Sequence, residues 1–388
     1  MSILIFCTES FGGLADYAHF QAEALAVRGH PVLLLAPAGF PFHSLHYRLE
    51  ILPRVTVTLK WMNFRWLQQL ATAATIFWQQ RSLNRAIDVS GSRFVLFTSY
   101  SEYLAPFWAG RLRGWTRKGI QFAAVVHDPV RDYVVGPLWW HRFSIAEGYS
   151  FLSLAFVHAP IDLSTVRPQP QLRTIEIPHG PYPFPSGEAR RDEVRLHLGV
   201  PEQATLLLSF GHLRDSKNLS LLLKAMVHVP QIWLLVAGPE ATAGQWPSSQ
   251  YQRLAERLGV AERCHWRIGY QPTERVGELF AASDGVLLTY AARFRSASGV
   301  LHLAGHYRVP VLASAGDGSM LNDVCRFDLG EVVTPDDLDA LIIGLRRFHL
   351  KPFRPDWDGY ERASSWDRNA QLVATYFGLE SQPGATTP

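Results

Sequence analysis

The stretch Leu206-Leu207-Leu208-Ser209-Phe210-Gly211-His212-Leu213-Arg214-Asp215-Ser216-Lys217-Asn218 decides how this chain is read. An apolar strand runs into a glycine turn, and two cations, Arg214 and Lys217, follow three residues apart. A helical pattern (Leu219, Leu222, Leu223, Met226) starts directly behind them. Strand, turn and helix in this order predict a βα unit. It would aim a guanidinium, an ammonium and helix N–H groups at one point above the strand's carboxyl end. A small anion, above all a phosphate, suits that point. In isolation such a segment is more often a solvated turn with two surface cations, so the surrounding chain must discriminate.

The same unit recurs along the chain. Strands are predicted at Ile3–Cys7, Pro31–Ala36, Phe94–Thr98, Ala123–His127, Leu154–Val157 and Thr174–Ile177. A second set follows at Leu206–Ser209, Trp233–Ala237, Cys264–Arg267, Gly285–Leu288, Pro310–Ala313 and Gly330–Val333, with helical patterns between them. Alternation of this kind predicts α/β architecture with parallel sheets. Between the sets lies Pro178-His179-Gly180-Pro181-Tyr182-Pro183-Phe184-Pro185-Ser186-Gly187, which fits neither a helix nor a central strand and reads as a linker. Two doubly wound Rossmann-like domains are therefore expected, 1–185 and 186–360. Ser365–Val373 reads as a capped helix, and 361–380 is expected to return to the first domain. Ligands of such sheets bind outside the strands' carboxyl ends, so the two sets of ends are expected to face each other across a cleft.

Composition narrows the function classes. The chain has 388 residues, 47% of them hydrophobic and 18% charged, which suits two folded cores and excludes a disordered chain. A net charge of +3 and the lack of any recognised nucleic-acid module argue against a nucleic-acid partner. Cys7, Cys264 and Cys325 are scattered without metal-ligand spacing, which argues for a reducing compartment. No signal peptide or uninterrupted apolar run of spanning length is read, so the expected location is cytoplasmic.

Three further segments follow predicted strands. Gly12-Gly13, after the first, lets backbone N–H groups approach a ligand at a helix start, although a Gly-Gly turn is often just a turn. His127-Asp128-Pro129 ends another strand and is placed to touch a substrate hydroxyl; a locally capped turn is the plainer alternative. Ser298-Gly299 opens a helix and could hold a phosphate, or be an ordinary serine N-cap.

Together these pieces resemble the retaining GT-B glycosyltransferases of the GT4-like, group 1 family. The motifs stand in the family's order over nearly the whole chain. They are Arg28-Gly29-His30, His127-Asp128, Ile177-Pro178-His179-Gly180, Gly211 with Arg214 and Lys217, Ala237-Gly238-Pro239, Gly269-Tyr270-Gln271-Pro272, Asp284, and Pro310 to Ser314. Many members carry two glutamates eight residues apart; counted back from Pro310 these fall on Arg295 and Leu303, so both are missing here. Ser298-Gly299-Val300-Leu301-His302-Leu303-Ala304 instead resembles a subgroup with a serine-glycine pair before an apolar helix.

The resemblance implies a retaining, metal-independent transfer of a sugar from a nucleotide diphosphate sugar to a glycan, a glycolipid or a small molecule, with no cofactor. Arg214 and Lys217 would hold the leaving diphosphate, with Gly12, Gly13, Ser298 and Gly299 completing its cradle. His127 and Asp128 would orient the sugar, and Gly269 and Tyr270 would lie near the base. The missing glutamates leave room for a catalytically silent scaffold, and another GT-B enzyme such as a sugar-nucleotide epimerase is a third reading.

Aromatic and basic residues interleave in the first half, at Lys60–Leu67 with Ile76-Phe77-Trp78, at Arg111–Lys118 and at Pro137–Phe143. This pattern suits peripheral contact with an anionic membrane on the cytoplasmic face and a lipid-linked acceptor. For 61–78, helical spacing also fits burial of the rings in a core. Arg111–Lys118, read as a loop, is the better membrane candidate.

Overall fold

The computed structural model describes residues 2–54, 65–127, 134, 136–158, 162–182, 191–240 and 245–380. They divide into two compact units, Met1–Gly180 with Ser365–Pro388, and Pro181–Ser364.

The first unit holds strands β1 (Ile3–Phe6), β2 (Val32–Pro37), β3 (Arg48–Leu52), β4 (Phe94–Phe97), β5 (Gln121–Val126), β6 (Leu154–Val157) and β7 (Arg173–Glu176). They form one parallel sheet in the order β3-β2-β1-β4-β5-β6-β7. Helices α1 (Gly13–Val27), α2 (Arg65–Ser90), α3 (Ala105–Arg117) and α4 (Leu138–Tyr149) connect them. Every residue of β1 is buried, the mark of a strand covered on both faces. Alternation along it separates two cores: Ile3 and Ile5 pack with Tyr17 and Ala22, whereas Leu4 and Phe6 pack with Leu83, Trp108 and Leu112.

β3 is absent from the sequence reading. It is an edge strand fully buried only at Leu52 and carrying Arg48 and Glu50, and its short charged pattern lacks the apolar run of a central strand.

The second unit holds β8 (Thr205–Phe210), β9 (Ile232–Gly238), β10 (Cys264–Ile268), β11 (Gly285–Thr289), β12 (Val311–Ser314) and β13 (Gly330–Val332). They are parallel, in the order β10-β9-β8-β11-β12-β13. The helices are α5 (Arg191–His197), α6 (Leu219–Met226), α7 (Ser248–Arg257), α8 (Thr273–Ala282), α9 (Gly299–His306), α10 (Ser319–Arg326), α11 (Leu338–Leu350) and α12 (Trp357–Ala363). In both sheets the strand order reverses beside the first strand of its set, at β1/β4 and at β8/β11. Such a switch point is where doubly wound sheets bind ligands.

The chain then returns to the first unit as α13 (Trp366–Tyr376), capped by Ser365, whose hydroxyl accepts from the Arg368 N–H. α13 lies on α1 and buries Ala370 and Val373 in the Ile3–Ile5 core. Two sequence motifs serve this docking. Arg28 pairs with Asp367 at 2.5 Å and with Glu380 at 2.8 Å, and the His30 ring meets Glu380 at 2.9 Å. Gly29, with φ +90°, ends α1 in the left-handed conformation that turns His30 toward Glu380. Gly180 is required by close approach: a Cβ there would lie 2.2 Å from the Trp366 indole.

No helix among the described residues is long and apolar enough to cross a membrane. Residues 55–64, 183–190 and 381–388 lie outside the described residues, and with them Lys60 to Phe64 of the first aromatic-basic stretch and 183–187 of the expected linker.

Candidate functional site

In the second unit β8 delivers the chain to Gly211, whose φ of +86° takes it over the sheet edge. A 3-10 turn, Asp215–Lys217, and Asn218 in a left-handed conformation separate the cations from α6. The helix starts at Leu219, where its periodicity predicts. The Lys217 side chain turns back, and its ammonium donates to the Phe210 carbonyl at 2.5 Å. Burial, and then the nearby Arg214 charge, push its pKa down to about 8, so it is cationic at pH 7. Arg214 is exposed at the head of the turn.

The loop after β11 meets this turn. The Ala291 N–H donates to the Ser216 carbonyl at 2.8 Å, and the Thr289 hydroxyl donates to the Lys217 carbonyl at 3.1 Å. Asp336 holds both loops, accepting from the Asn218 amide and from the Ala292 N–H, each at 2.8 Å. Ser298 precedes α9 but its hydroxyl makes no cap bond; it sits 3.2 Å from the buried Tyr290 hydroxyl. The N-cap alternative thus fails because Tyr290 takes the side chain, while Gly299 is exposed at the helix start. Val300 lies within 3.8 Å of where a Gly211 Cβ would stand, and the Arg214 charge acts on Tyr290. The fold thus gathers Arg214, Lys217, Ser298 and Gly299 at the β8/β11 switch point.

Gly238 and Gly269 extend this edge. A Cβ on Gly238 would lie 2.3 Å from the Gly211 carbonyl oxygen, so only glycine lets the cationic loop rest on the end of β9. The Gly269 N–H donates to the Gly238 carbonyl at 3.0 Å, and Tyr270 beside it is 81% exposed.

In the first unit Gly12, with φ +81°, opens α1, and its carbonyl accepts from the Ala15 and Asp16 N–H groups. Gly12 and Gly13 are exposed. The Ser99 hydroxyl accepts from the Thr8 N–H at 2.9 Å and ties the ends of β1 and β4 at their switch point. His127 directly follows β5, with its ring 4.7 Å, edge to face, from Tyr17. His158, His179 and Trp366 also surround the Tyr17 ring, and the Tyr17 hydroxyl accepts from the Asn369 amide at 2.9 Å. Burial, with His158 nearby, lowers the His127 pKa to about 3; burial lowers that of His158 to about 4. His158 donates through Nδ1 to the Ile177 carbonyl at 3.0 Å, and the Nε2 atoms of both rings are buried with no hydrogen-bond partner among the described residues. A neutral imidazole of this kind can orient a hydroxyl through its one N–H and its free ring nitrogen but bears no positive charge at pH 7. Asp128 and Pro129 lie outside the described residues.

Sequence reasoning passed over several residues that this geometry brings forward. His212 stands beside the two cations, and burial together with their charges lowers its pKa. The Asp16 carboxyl, in the first turn behind Gly12-Gly13, is raised to about 6 by burial. A polar residue next to each glycine turn was the available signal for both. Asp336 left none, since its partners stand 118 and 44 residues away.

A family model described as glycosyl transferases group 1 matches residues 190–372. This segment is similar to the group 1 glycosyl transferases. It contains the Gly211–Lys217 turn and Ser298-Gly299. The chain is similar to D-inositol 3-phosphate glycosyltransferase of Streptomyces coelicolor, 29% identical over 173 residues, which cover 42% of this chain and 36% of that protein. It is 30% identical over 181 residues to the enzyme of the same name from Streptomyces griseus. It spans about a third of the length of these curated relatives. Among solved structures, sucrose-phosphate synthase from Thermosynechococcus elongatus superposes with a TM-score of 0.69 at 18% identity, covering 98% of this chain and 100% of that one. Anabaena HepE, solved with UDP and glucose, gives 0.68 at 17% identity over the same shares. At these identities the likeness establishes the fold: two Rossmann-like α/β domains of the GT-B type.

Proposed function

We propose that this protein transfers a sugar from a nucleotide diphosphate sugar to a glycan, a glycolipid or a small-molecule acceptor, with retention and without a metal. The observation that carries the reading is the meeting of Arg214, Lys217, Ser298 and the start of α9 at the switch point of the second unit. As the bond between the sugar's anomeric carbon and the β-phosphate oxygen breaks, negative charge grows on that phosphate. Cations held in place beforehand stabilise this charge more in the transition state than in the ground state. The acceptor oxygen forms the new bond on the same face, and its proton passes to the departing phosphate oxygen, so no dedicated base is needed.

Gly12 and Gly13 are assigned to the donor phosphate, His127 and Asp128 to the sugar, and Gly269 and Tyr270 to the base. The neutral His127 ring suits the orienting of a hydroxyl better than proton transfer. The UDP bound by HepE supports testing uridine first. Work at the cytoplasmic face of a membrane, with peripheral contact, completes the reading and rests on the basic and aromatic residues of the first unit.

Thermal-shift measurement with UDP, GDP and ADP tests it, because a nucleotide bound by the native state raises its melting temperature. One of the three is expected to do so, and Lys217→Ala to abolish the shift. No shift and no turnover of any donor would favour the silent scaffold, for which Arg295 and Leu303 at the family's glutamate positions already speak. Sugar returned altered without an acceptor would indicate an epimerase.

A further inference from the structure

Arg111–Lys118 is not a loop. Arg111 to Arg117 form the last turns of α3, because Leu112 and Trp108 bury into the Leu4–Phe6 core and fix the helix there. Two of its polar side chains are engaged: Arg113 pairs with Glu147 at 2.5 Å, and the Trp115 indole donates to the Asn84 amide oxygen at 2.8 Å. Arg111 and Lys118 face a groove between α2 and α3 that none of the residues assigned above uses.

That groove holds two adjoining cavities of about 830 and 640 Å3, which share Arg81, Asn84 and Arg111. Its two ends differ in chemistry. The larger is lined by Arg81, Arg85, Arg111 and Lys118 against a single carboxylate, Asp88. The smaller is walled by Ile76, Phe77, Leu104 and Phe107. All four cations are exposed, and none has an ion-pair partner among the described residues. The Lys118 ammonium stands 4.5 Å over the Trp115 ring and the Arg81 guanidinium 5.9 Å over that of Trp78, so aromatic faces rather than carboxylates hold these two charges at the groove.

The rim is aromatic and turned to solvent: Phe77 is 63% exposed, Phe107 78% and Trp139 67%. Phe107 meets Trp140 of α4 at 5.7 Å, and Trp140 meets Trp139 at 5.7 Å, so the apolar rim continues from α3 onto α4. Exposed large apolar side chains that gather in one patch mark an interaction surface. Unpaired cations at one end and apolar walls at the other match an amphiphile with a negative head. A nucleic acid would leave the apolar end unused.

We propose that the α2–α3 groove binds an anionic phospholipid of a bilayer surface. The headgroup phosphate sits among Arg81, Arg85 and Arg111, the acyl chain runs along Phe77 and Phe107, and the rings of α4 lie at the headgroup level. This deepens the peripheral contact in the functional reading and uses no residue of the donor site.

Co-sedimentation of the full chain with vesicles tests it. Vesicles of phosphatidylglycerol mixed with phosphatidylcholine are expected to take the protein down, vesicles of phosphatidylcholine alone are not, and the binding weakens as salt is added. A membrane-facing cation is worth about fivefold, so the triple variant Arg81→Gln, Arg85→Gln, Arg111→Gln should bind on the order of 100-fold more weakly. Should that variant lose its thermal transition, Arg81→Gln with Lys118→Gln carries the same test at about 30-fold. Phe77→Ser with Phe107→Ser should weaken vesicle binding while leaving its salt dependence. Equal binding to both vesicle types, or unchanged binding by the cation variants, overturns the proposal. A single-stranded RNA bound in preference to vesicles, and lost in the same variants, would reassign the face. The nucleotide thermal shift separates the two readings: vesicle binding without any nucleotide shift would remove sugar transfer and leave the groove standing.

Discussion

Lys217 and His127 are both titratable side chains packed at the carboxyl end of a central strand, one in each unit, and burial lowers the pKa of both. Their charges at pH 7 nevertheless differ. Lys217 starts from a high value, falls only to about 8 beside the Phe210 carbonyl, and keeps its proton. His127 starts near neutrality, falls to about 3 among aromatic rings and His158, and gives its proton up. The same desolvation thus yields a cation suited to phosphate in one unit and a neutral hydrogen-bonding ring in the other.

Acidification should break this contrast with the largest effect. His127 and His158 are depressed in the fold, so the unfolded chain takes up protons first as pH drops below about 6.5. Stability present above that pH is lost toward the folded values of about 3 and 4. By pH 5 the loss is about 2 kcal/mol for each histidine. Asp16, raised to about 6, works in the opposite sense over the same interval, and its partial exposure to solvent makes that return smaller than the loss from either histidine. A melting temperature that falls between pH 7 and pH 5, and less steeply in His158→Gln, is the expected result; a flat profile would remove the neutral pair.

Lys217→Ala comes next, with an expected loss of about 100-fold in kcat/KM, the worth of one preorganised donor to developing charge. Normal transfer by a folded variant would sink its assignment. In the unaltered protein, nucleotide affinity measured by calorimetry should decline as pH rises through about 8 and the ammonium deprotonates.

Smaller effects separate packing from pairing in the first unit. Gly180→Ala places a methyl against the Trp366 indole, an overpacking that costs about 1–3 kcal/mol. Denaturant unfolding should show it, and Trp366→Leu in the same chain should recover part of the loss; an unchanged midpoint would mean that α13 yields freely. Arg28→Ala should cost about 1 kcal/mol or less, because its pairs with Asp367 and Glu380 are partly exposed. That loss should shrink at high salt.

The donor-site half in the second unit was the more legible one. Gly211, Arg214 and Lys217 are close in sequence, so their meeting is a local matter of turn and strand. Ser298 could be nominated from its place before a helix, but the helix pattern gave no hint that Tyr290 would take its hydroxyl. The cluster around Tyr17 was hidden for a different reason. It joins residues from α1, the ends of β5 and β6, the linker and α13; of its histidines only His127 had been given a role in the site, His179 having been read as part of a linker motif. Arg28-Gly29-His30 was read as a family signature, and its contacts show it to be the anchor of the returning C-terminal segment.

The sequence by itself determined the alternation of strands and helices, the parallel two-sheet architecture and the nomination of the Gly211–Lys217 turn. Each of these depends on periodicity and on glycine or charge within a few residues of one another. Only the tertiary structure decided that Lys217 stays charged while His127 does not. It also decided that Asp336 joins two loops and that the Arg111 face is one side of a groove. Those properties depend on burial and on partners tens to hundreds of residues away, and local pattern carries no record of either.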